Sequence, residues 1–250
     1  MSIRKNEDLQ GMLRVSRAVA LTLREMKAHV RPGMTTRELD NFGGALLKKF
    51  GARSAPALTY KFPGHTCISL NHEIAHGIPG NKIIREGDLL NIDVSAELAG
   101  YWSDNGGSMV VGDGHSMHRP LVQASRDILN STIRNIRHGV RISDSGGRME
   151  REARARGFKV IRNLTGHGIG KRLHEAPHEI ANYDDGNRQR FTNNLVVAIE
   201  TFISTASTIA ETLPDGWTLV GNRGGFVAQH EHTIMVTEGE PLVLTAENGN

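Results

Sequence analysis

Four carboxylates and one imidazole are spread through this chain: Asp93, Asp104, His167, Glu200 and Glu231. Two of the carboxylates sit in stretches that otherwise favour burial. Asp93 interrupts Leu89-Leu90-Asn91-Ile92-Asp93-Val94, and Glu200 ends Leu195-Val196-Val197-Ala198-Ile199-Glu200. An unpaired carboxylate in a buried strand is costly. Several of them, with a histidine, suggest that they share a cation, and the number of ligands suggests two.

Residues 88–98 and 101–111 read as two strands joined at Ala99-Gly100, a hairpin. Asp93 and Asp104 are then close to cross-strand partners, where like charges repel unless a divalent cation lies between them. The bland alternative makes Asp104-Asn105-Gly106-Gly107 a turn and bonds Asp93 to backbone amides. His167 lies in Thr165-Gly166-His167-Gly168-Ile169-Gly170-Lys171, read as a loop whose glycines let the chain bend and expose the ring. That segment lacks phosphate-loop spacing, and Arg172 stands where Ser or Thr is needed. Glu200 and Glu231 each lie on an apolar strand; taken singly, either could face solvent.

His72-Glu73-Ile74-Ala75-His76 matches H-E-x-x-H, a zinc-peptidase signature. That motif works on a helix, where the two histidines share one face. Here Gly77, Pro79 and Gly80 follow at once, and residues 66–70 read as strand, so the zinc reading is set aside. His76 alone, at a strand end beside a Gly-Ile-Pro turn, is the better site candidate.

The elements that must position these groups follow from periodicity. Residues 6–29 and 36–50 read as helices, the second opened by a Thr35–Glu38 capping box and stopped by Gly51. Prolines and glycines from 52 to 85 break any helix there. Residues 116–137 and 142–156 read as two more helices, with strands at 159–161, 195–204 and 226–236. The order helix, helix, strands occurs twice and suggests two similar α+β halves in one domain, 1–250. With 38% hydrophobic and 23% charged residues the chain can bury a sizeable core. Net charge is +3 without a single-sign block, and the basic stretch Arg148 to Arg156 reads as a solvated helix face, which disfavours a specific DNA partner. Docking to an acidic surface such as ribosomal RNA stays open. A lone cysteine, Cys67, precludes an intrachain disulfide, and no signal core or membrane-length apolar run is visible, which fits a cytoplasmic enzyme.

With those residues in hand, the chain resembles the type I methionine aminopeptidases in their short bacterial form. The matching segments are Cys67-Ile68-Ser69-Leu70-Asn71 with His76-Gly77-Ile78-Pro79, Gly87-Asp88 with Asn91-Ile92-Asp93-Val94, Thr165 to Gly170 with His174-Glu175 and Pro177, and Glu231-His232-Thr233. The ligand intervals of 11, 63, 33 and 31 residues also suit that family.

The resemblance implies a pseudo-two-fold "pita-bread" α+β fold, with a mainly antiparallel curved sheet and helices outside. It implies two divalent ions (Co, Mn, Fe or Zn), held jointly by Asp104 and Glu231, with Asp93 completing one ligand set and His167 with Glu200 the other. Glu200 would pass a water's proton to the leaving amine. His76 and His174 would hydrogen-bond the substrate amide, and Phe62, Cys67, Leu173 and Trp217 match the family's methionine pocket. The implied partners are nascent polypeptide N-termini, approached by a monomer, with the ribosome a further candidate and no membrane. Two departures stand out. Thr201 follows Glu200 where Pro is usual, which could slacken that strand, and Asn105 follows Asp104 where Thr is common. The alternatives are an X-Pro peptidase of the aminopeptidase P or prolidase kind, and a non-catalytic binding protein on the same fold.

Overall fold

The computed structural model describes residues 1–112 and 116–250. In chain order it has α1 Asn6–His29, α2 Thr36–Lys49, β1 Arg53–Ser54, α3 Ala55–Tyr60, β2 Cys67–Leu70, β3 Glu73–Ala75, β4 Leu89–Leu98 and β5 Tyr101–Val110. These are followed by α4 Arg119–Arg134, α5 Ile142–Ala155, β6 Lys159–Val160, β7 Thr165–Gly168, β8 Glu175–Ala181 and β9 Val196–Ser204. The chain closes with β10 Ala210–Thr212, β11 Leu219–Gly221, β12 Val227–Met235 and β13 Leu242–Val243.

Helix α1 buries Met12, Val15, Val19, Leu23 and Met26, a stripe at helical spacing. The capping box of α2 forms as read: Thr35 Oγ1 accepts the Glu38 amide, and Glu38 accepts the Thr35 amide. Three expectations need correction. Proline 56 does not prevent a helix, because it lies in the first turn of α3, where its missing N–H is no loss and Ser54 caps the Ala57 amide. Helix α4 is shorter than 116–137 at both ends. The segment around His167 is a strand, β7, rather than a loop.

The main sheet runs β1-β4-β5-β12-β9-β7-β8, with β2 on β4, β6 on β9 and β13 on β12. Every ladder in it is antiparallel. Helices α1 and α2 pack on the first half through Val19, Leu23, Leu39, Ile68, Ile92 and Val94. Helices α4 and α5 pack on the second half through Ile128, Ile133, Met149, Val197, Ile199 and Ile234. The repeated helix–helix–strands order is therefore a repeated packing unit, and the pita-bread α+β architecture follows.

The halves meet where β5 lies beside β12, in register at Gly107 with His230, and where β3 pairs with β11. Side chains bridge the rest of the seam. The Thr233 hydroxyl accepts the Asp104 amide and donates to the Asp104 carbonyl. The Ser108 hydroxyl does the same for Gln229.

Strand alternation then decides which face is polar. On β4, Leu90, Ile92, Val94 and Ala96 face the helices, so Asn91, Asp93 and Ser95 lie on the opposite face. Part of that face is covered by the small sheet β10-β11-β3, whose Ile74, Ala210 and Leu219 pack with Phe202 and Val227.

Candidate metal centre and adjoining cavity

Five adjacent strands of the main sheet each contribute one group: Asp93 from β4, Asp104 from β5, Glu231 from β12, Glu200 from β9 and His167 from β7. Register brings them together. Glu200 stands directly opposite Glu231. Asp93 faces Gly106, and Asp104 faces Ser95, so the two aspartates are diagonal neighbours on one face, close to cross-strand partners as the sequence suggested. His167 faces Ala198, two positions before Glu200 on the same side of β9.

Donor atoms of Asp104, His167 and Glu231 all lie within 4.8 Å of one another. Nε2 of His167 is 3.9 Å from Asp104 Oδ2. Both carboxylates are buried, yet Asp104 Oδ1 and Glu231 Oε1 have no hydrogen-bond partner among the described residues. Unsatisfied buried acceptors on opposing carboxylates are what a divalent cation would satisfy. The donor set fits such an ion.

Electrostatics agree. Burial, and then the charges of Glu231 and Asp93, hold the Asp104 carboxyl well above the usual range. Burial followed by Asp104 does the same to Glu200, and burial followed by Glu200 to Glu231. Asp93 is raised too, mainly by burial. Burial pushes His167 down to about 3, so it is a neutral ring at pH 7. Its Nδ1 lies 3.0 Å from the Gly168 carbonyl. A carbonyl only accepts, so Nδ1 carries the proton and Nε2 keeps its lone pair for a ligand bond. The flanking glycines serve this packing. A Cβ on Gly166 would come within 2.5 Å of the Ala198 carbonyl oxygen, and one on Gly168 within 2.3 Å of that of Ala176. They permit close backbone approach around a buried ring, rather than the exposed bend expected.

The five groups line one end of a cavity of about 380 Å³. His76, His174, Phe62, Cys67, Leu173 and Trp217 line the same cavity. His76 follows β3 at φ +54, a left-handed conformation seldom taken by a residue with a side chain. Burial lowers the affinity of His76 and His174 for protons. Phe62 and Trp217 meet edge to face at 5.2 Å, and Cys67 and Leu173 are buried beside them. Burial and then Asp93 push the Cys67 thiol well up, so it sits in the wall as a neutral group.

H-E-x-x-H is not helical: residues 73–75 are strand β3. His72 Nδ1 lies 3.0 Å from the Gly225 carbonyl, and Glu73 pairs with Lys82 at 2.7 Å. Thr201 does not loosen β9, which pairs with β12 from Val196 to Ser204 without a break. Its hydroxyl lies 2.9 Å from Ser125 Oγ and donates to the His230 carbonyl. Asn105 donates to the Val94 carbonyl across the hairpin.

Sequence reasoning missed Gln229, Asn91 and Tyr60. Gln229 donates to Glu231 Oε2 at 3.0 Å, and Asn91 donates to Gln229 Oε1 at 2.8 Å, so a short chain of amides orients Glu231. Gln229 lies two residues before Glu231 on the same strand face, a spacing that could have flagged it. Tyr60 Oη is 2.6 Å from His174 Nδ1, and no local pattern announces that contact.

Residues 10–238 match the model of metallopeptidase family M24. Methionine aminopeptidase 2 of Bacillus subtilis is 46% identical over 248 residues, 98% of this chain and 99% of that one. Among solved structures, methionine aminopeptidase from Thermotoga maritima superposes with a TM-score of 0.93 at 32% identity, covering 98% and 99% of the two chains. Prolidase from Pyrococcus furiosus has a TM-score of 0.78 at 20% identity over 97% of this chain and 65% of that one, a likeness of fold alone.

Proposed function

The chain belongs to metallopeptidase family M24, and on that premise we propose that it is a methionyl aminopeptidase that removes the initiator methionine from nascent proteins whose second residue is small. The observation that carries this reading is the joining, in one cavity, of a carboxylate–imidazole cluster with unpartnered oxygens to an apolar wall of Phe62, Cys67, Leu173 and Trp217. We read residues 1–250 as one catalytic domain that works as a monomer in the cytoplasm. Among the described residues no helix is long and apolar enough to cross a membrane.

Divalent metal binding follows from the family and the cluster. Two ions, of Mn, Fe, Co or Zn, would suit the number of ligands, and Asp93, Asp104, His167, Glu200 and Glu231 would hold them. Bound metal supplies Lewis acidity to the scissile carbonyl and makes the attacking water more acidic. Glu200 takes that water's proton and delivers it to the departing amine. His76 and His174 hold the peptide and donate to the carbonyl oxygen as negative charge develops there. The edge-to-face pair Phe62–Trp217, with Cys67 and Leu173, sheathes an unbranched thioether side chain and keeps water from it. The natural substrate is the N-terminus of a nascent chain, met at or near the ribosome. The X-Pro reading has only fold likeness behind it.

The test is release of free methionine from Met-Ala-Ser by metal-stripped protein, before and after Mn or Co is added. Release is expected only after addition. Faster cleavage of X-Pro dipeptides would transfer the chain to the alternative activity. Silence with every divalent ion, from protein shown to be folded, would leave a non-catalytic binding protein.

A further inference from the structure

We propose that Tyr60 is a positioning residue: it locks His174 in the tautomer that carries its proton on Nε2, so that this imidazole meets the substrate as a hydrogen-bond donor. The identity of the substrate rests on the aminopeptidase reading; the tautomer does not.

Tyr60 ends α3, and Lys61 then turns the chain at φ +59. This leaves the phenol at the cavity wall, 2.6 Å from His174 Nδ1. His174 sits in a tight segment fixed by Glu175, whose carboxylate accepts the amides of Lys171 and Arg172 and pairs with the Met1 amino group at 2.8 Å. Both partners of the Tyr60–His174 contact are therefore anchored by the backbone.

A neutral imidazole has one donor nitrogen and one acceptor nitrogen, and a phenol can play either part. Two arrangements are open. If Nδ1 donates to the phenol oxygen, the phenol proton of the exposed Tyr60 turns to solvent. The Nε2 lone pair is then offered to a cavity already lined by Asp93, Asp104, Glu200 and Glu231. If the phenol donates to Nδ1, its proton is satisfied and an Nε2–H is offered to those acceptors and to a substrate carbonyl. The second arrangement sets a donor, not a lone pair, against the carboxyl oxygens of the cavity.

The neighbouring ring shows the complementary choice. His167 and His174 stand edge to face with centroids 4.2 Å apart. The Gly168 carbonyl forces the proton of His167 onto Nδ1. Two touching imidazoles thus hold opposite tautomers, one with a free lone pair for a metal and one with a free N–H for a substrate, each set by an outer partner of fixed character.

The experiment is nitrogen NMR of histidine-labelled, zinc-loaded protein, with His174 assigned by loss of its signals in His174→Ala. The wild type is expected to show an unprotonated Nδ1 and a protonated Nε2 at His174, and Tyr60→Phe a mixture of both tautomers. In parallel, Tyr60→Phe should lower kcat on Met-Ala-Ser about tenfold, the scale of one hydrogen bond, with KM within about twofold. The same substitution in a His174→Ala background should cost nothing further. A wild-type His174 protonated at Nδ1, a tautomer unchanged by Tyr60→Phe, or an equal kcat loss in both backgrounds would each overturn the proposal. If the wild type releases no methionine at all, the aminopeptidase reading fails while the spectrum still decides the tautomer.

Discussion

Two glutamates directly opposed across an antiparallel ladder, as Glu200 and Glu231 are, repel in the absence of a cation, and two aspartates on the same face add to the cost. Asp104 lies at the centre of this repulsion, since both Glu231 and Asp93 act on it. Replacing it by Asn removes one charge at almost constant shape. In the presence of chelator, Asp104→Asn is expected to melt about 2–4 °C above the wild type, the effect of about 1 kcal/mol in a chain of this size. It should lose the stabilisation that added Mn gives the wild type. A melting point below that of the chelated wild type would show that Asp104 is not under charge stress. The same carboxyls make metal binding depend on pH. Their folded values lie above the unfolded values near 4. Their contribution to the metal-free fold is therefore fully present below about pH 4 and is lost as pH rises through the folded values. His167 works in the opposite sense. Its folded value of about 3 lies below the unfolded value near 6.5, so its contribution is present above about 6.5 and is lost as pH falls. A cation needs these carboxyls ionised, so metal competes with protons at the carboxyls and not at His167. Titration calorimetry in buffers of different ionisation enthalpy should show net proton release, with affinity weakening as pH falls from 7 to 6. A heat independent of buffer would contradict this.

Strands do most of the positioning at the scale of elements. Alternation on β4 sends aliphatic groups to the helices and leaves Asn91, Asp93 and Ser95 on the site face. Strand β7 can carry a buried imidazole only because its glycines let β8 and β9 come close. A methyl group on Gly168 would press on the carbonyl oxygens of Ala176 and Glu175, at 2.3 and 2.8 Å, neither of which can turn aside like a side chain. Gly168→Ala is therefore expected to cost at least about 2 kcal/mol of stability and to move His167 off its site. Chemical denaturation and metal stoichiometry would check this together. Wild-type stability with full metal occupancy would mean that β8 yields more easily than its pairing suggests. Helix α3 shows the same dependence on placement. Pro56 is harmless in its first turn, and the left-handed Lys61 at its end leaves Tyr60 beside His174.

Across the whole molecule, the cluster joins two packing units. Asp93 and Asp104 come from the α1–α2 half, while His167, Glu200 and Glu231 come from the α4–α5 half. The seam between the halves has little backbone pairing and depends on hydroxyls such as those of Thr233 and Ser108. A metal held by ligands from both halves would act as a staple across this seam. At a free ion concentration about a thousandfold above its Kd, the staple is worth about 4 kcal/mol. Calorimetric scans should show one cooperative transition that moves up when metal is added and down when chelator removes it. A transition that ignores metal, or a metal-loaded protein whose halves melt separately, would contradict this coupling.

The sequence by itself determined the chemistry on offer and much of the element order. Acidic residues set in apolar stretches are visible without coordinates because burying a charge needs a reason. The capping box at Thr35, the hairpin turn at Ala99-Gly100 and the paired helix stripes are local signals read over a few residues, and all appear in the structure. The local signals failed where a distant partner decided the outcome. Gly166 to Gly170 reads as a bend, yet most of it is a strand because β8 and β9 lie against it. Asp93 and Asp104 read as close to cross-strand partners and are diagonal neighbours in the hairpin, but only the pairing of β9 with β12 sets Glu200 opposite Glu231. Gln229, Asn91 and Tyr60 look like ordinary polar residues in sequence, because an amide or a phenol shows its partner only after β5 meets β12 and α3 meets the His174 segment. Spacing along a chain determines which residues share a strand face; only the packing of strands from the two halves decides which faces meet.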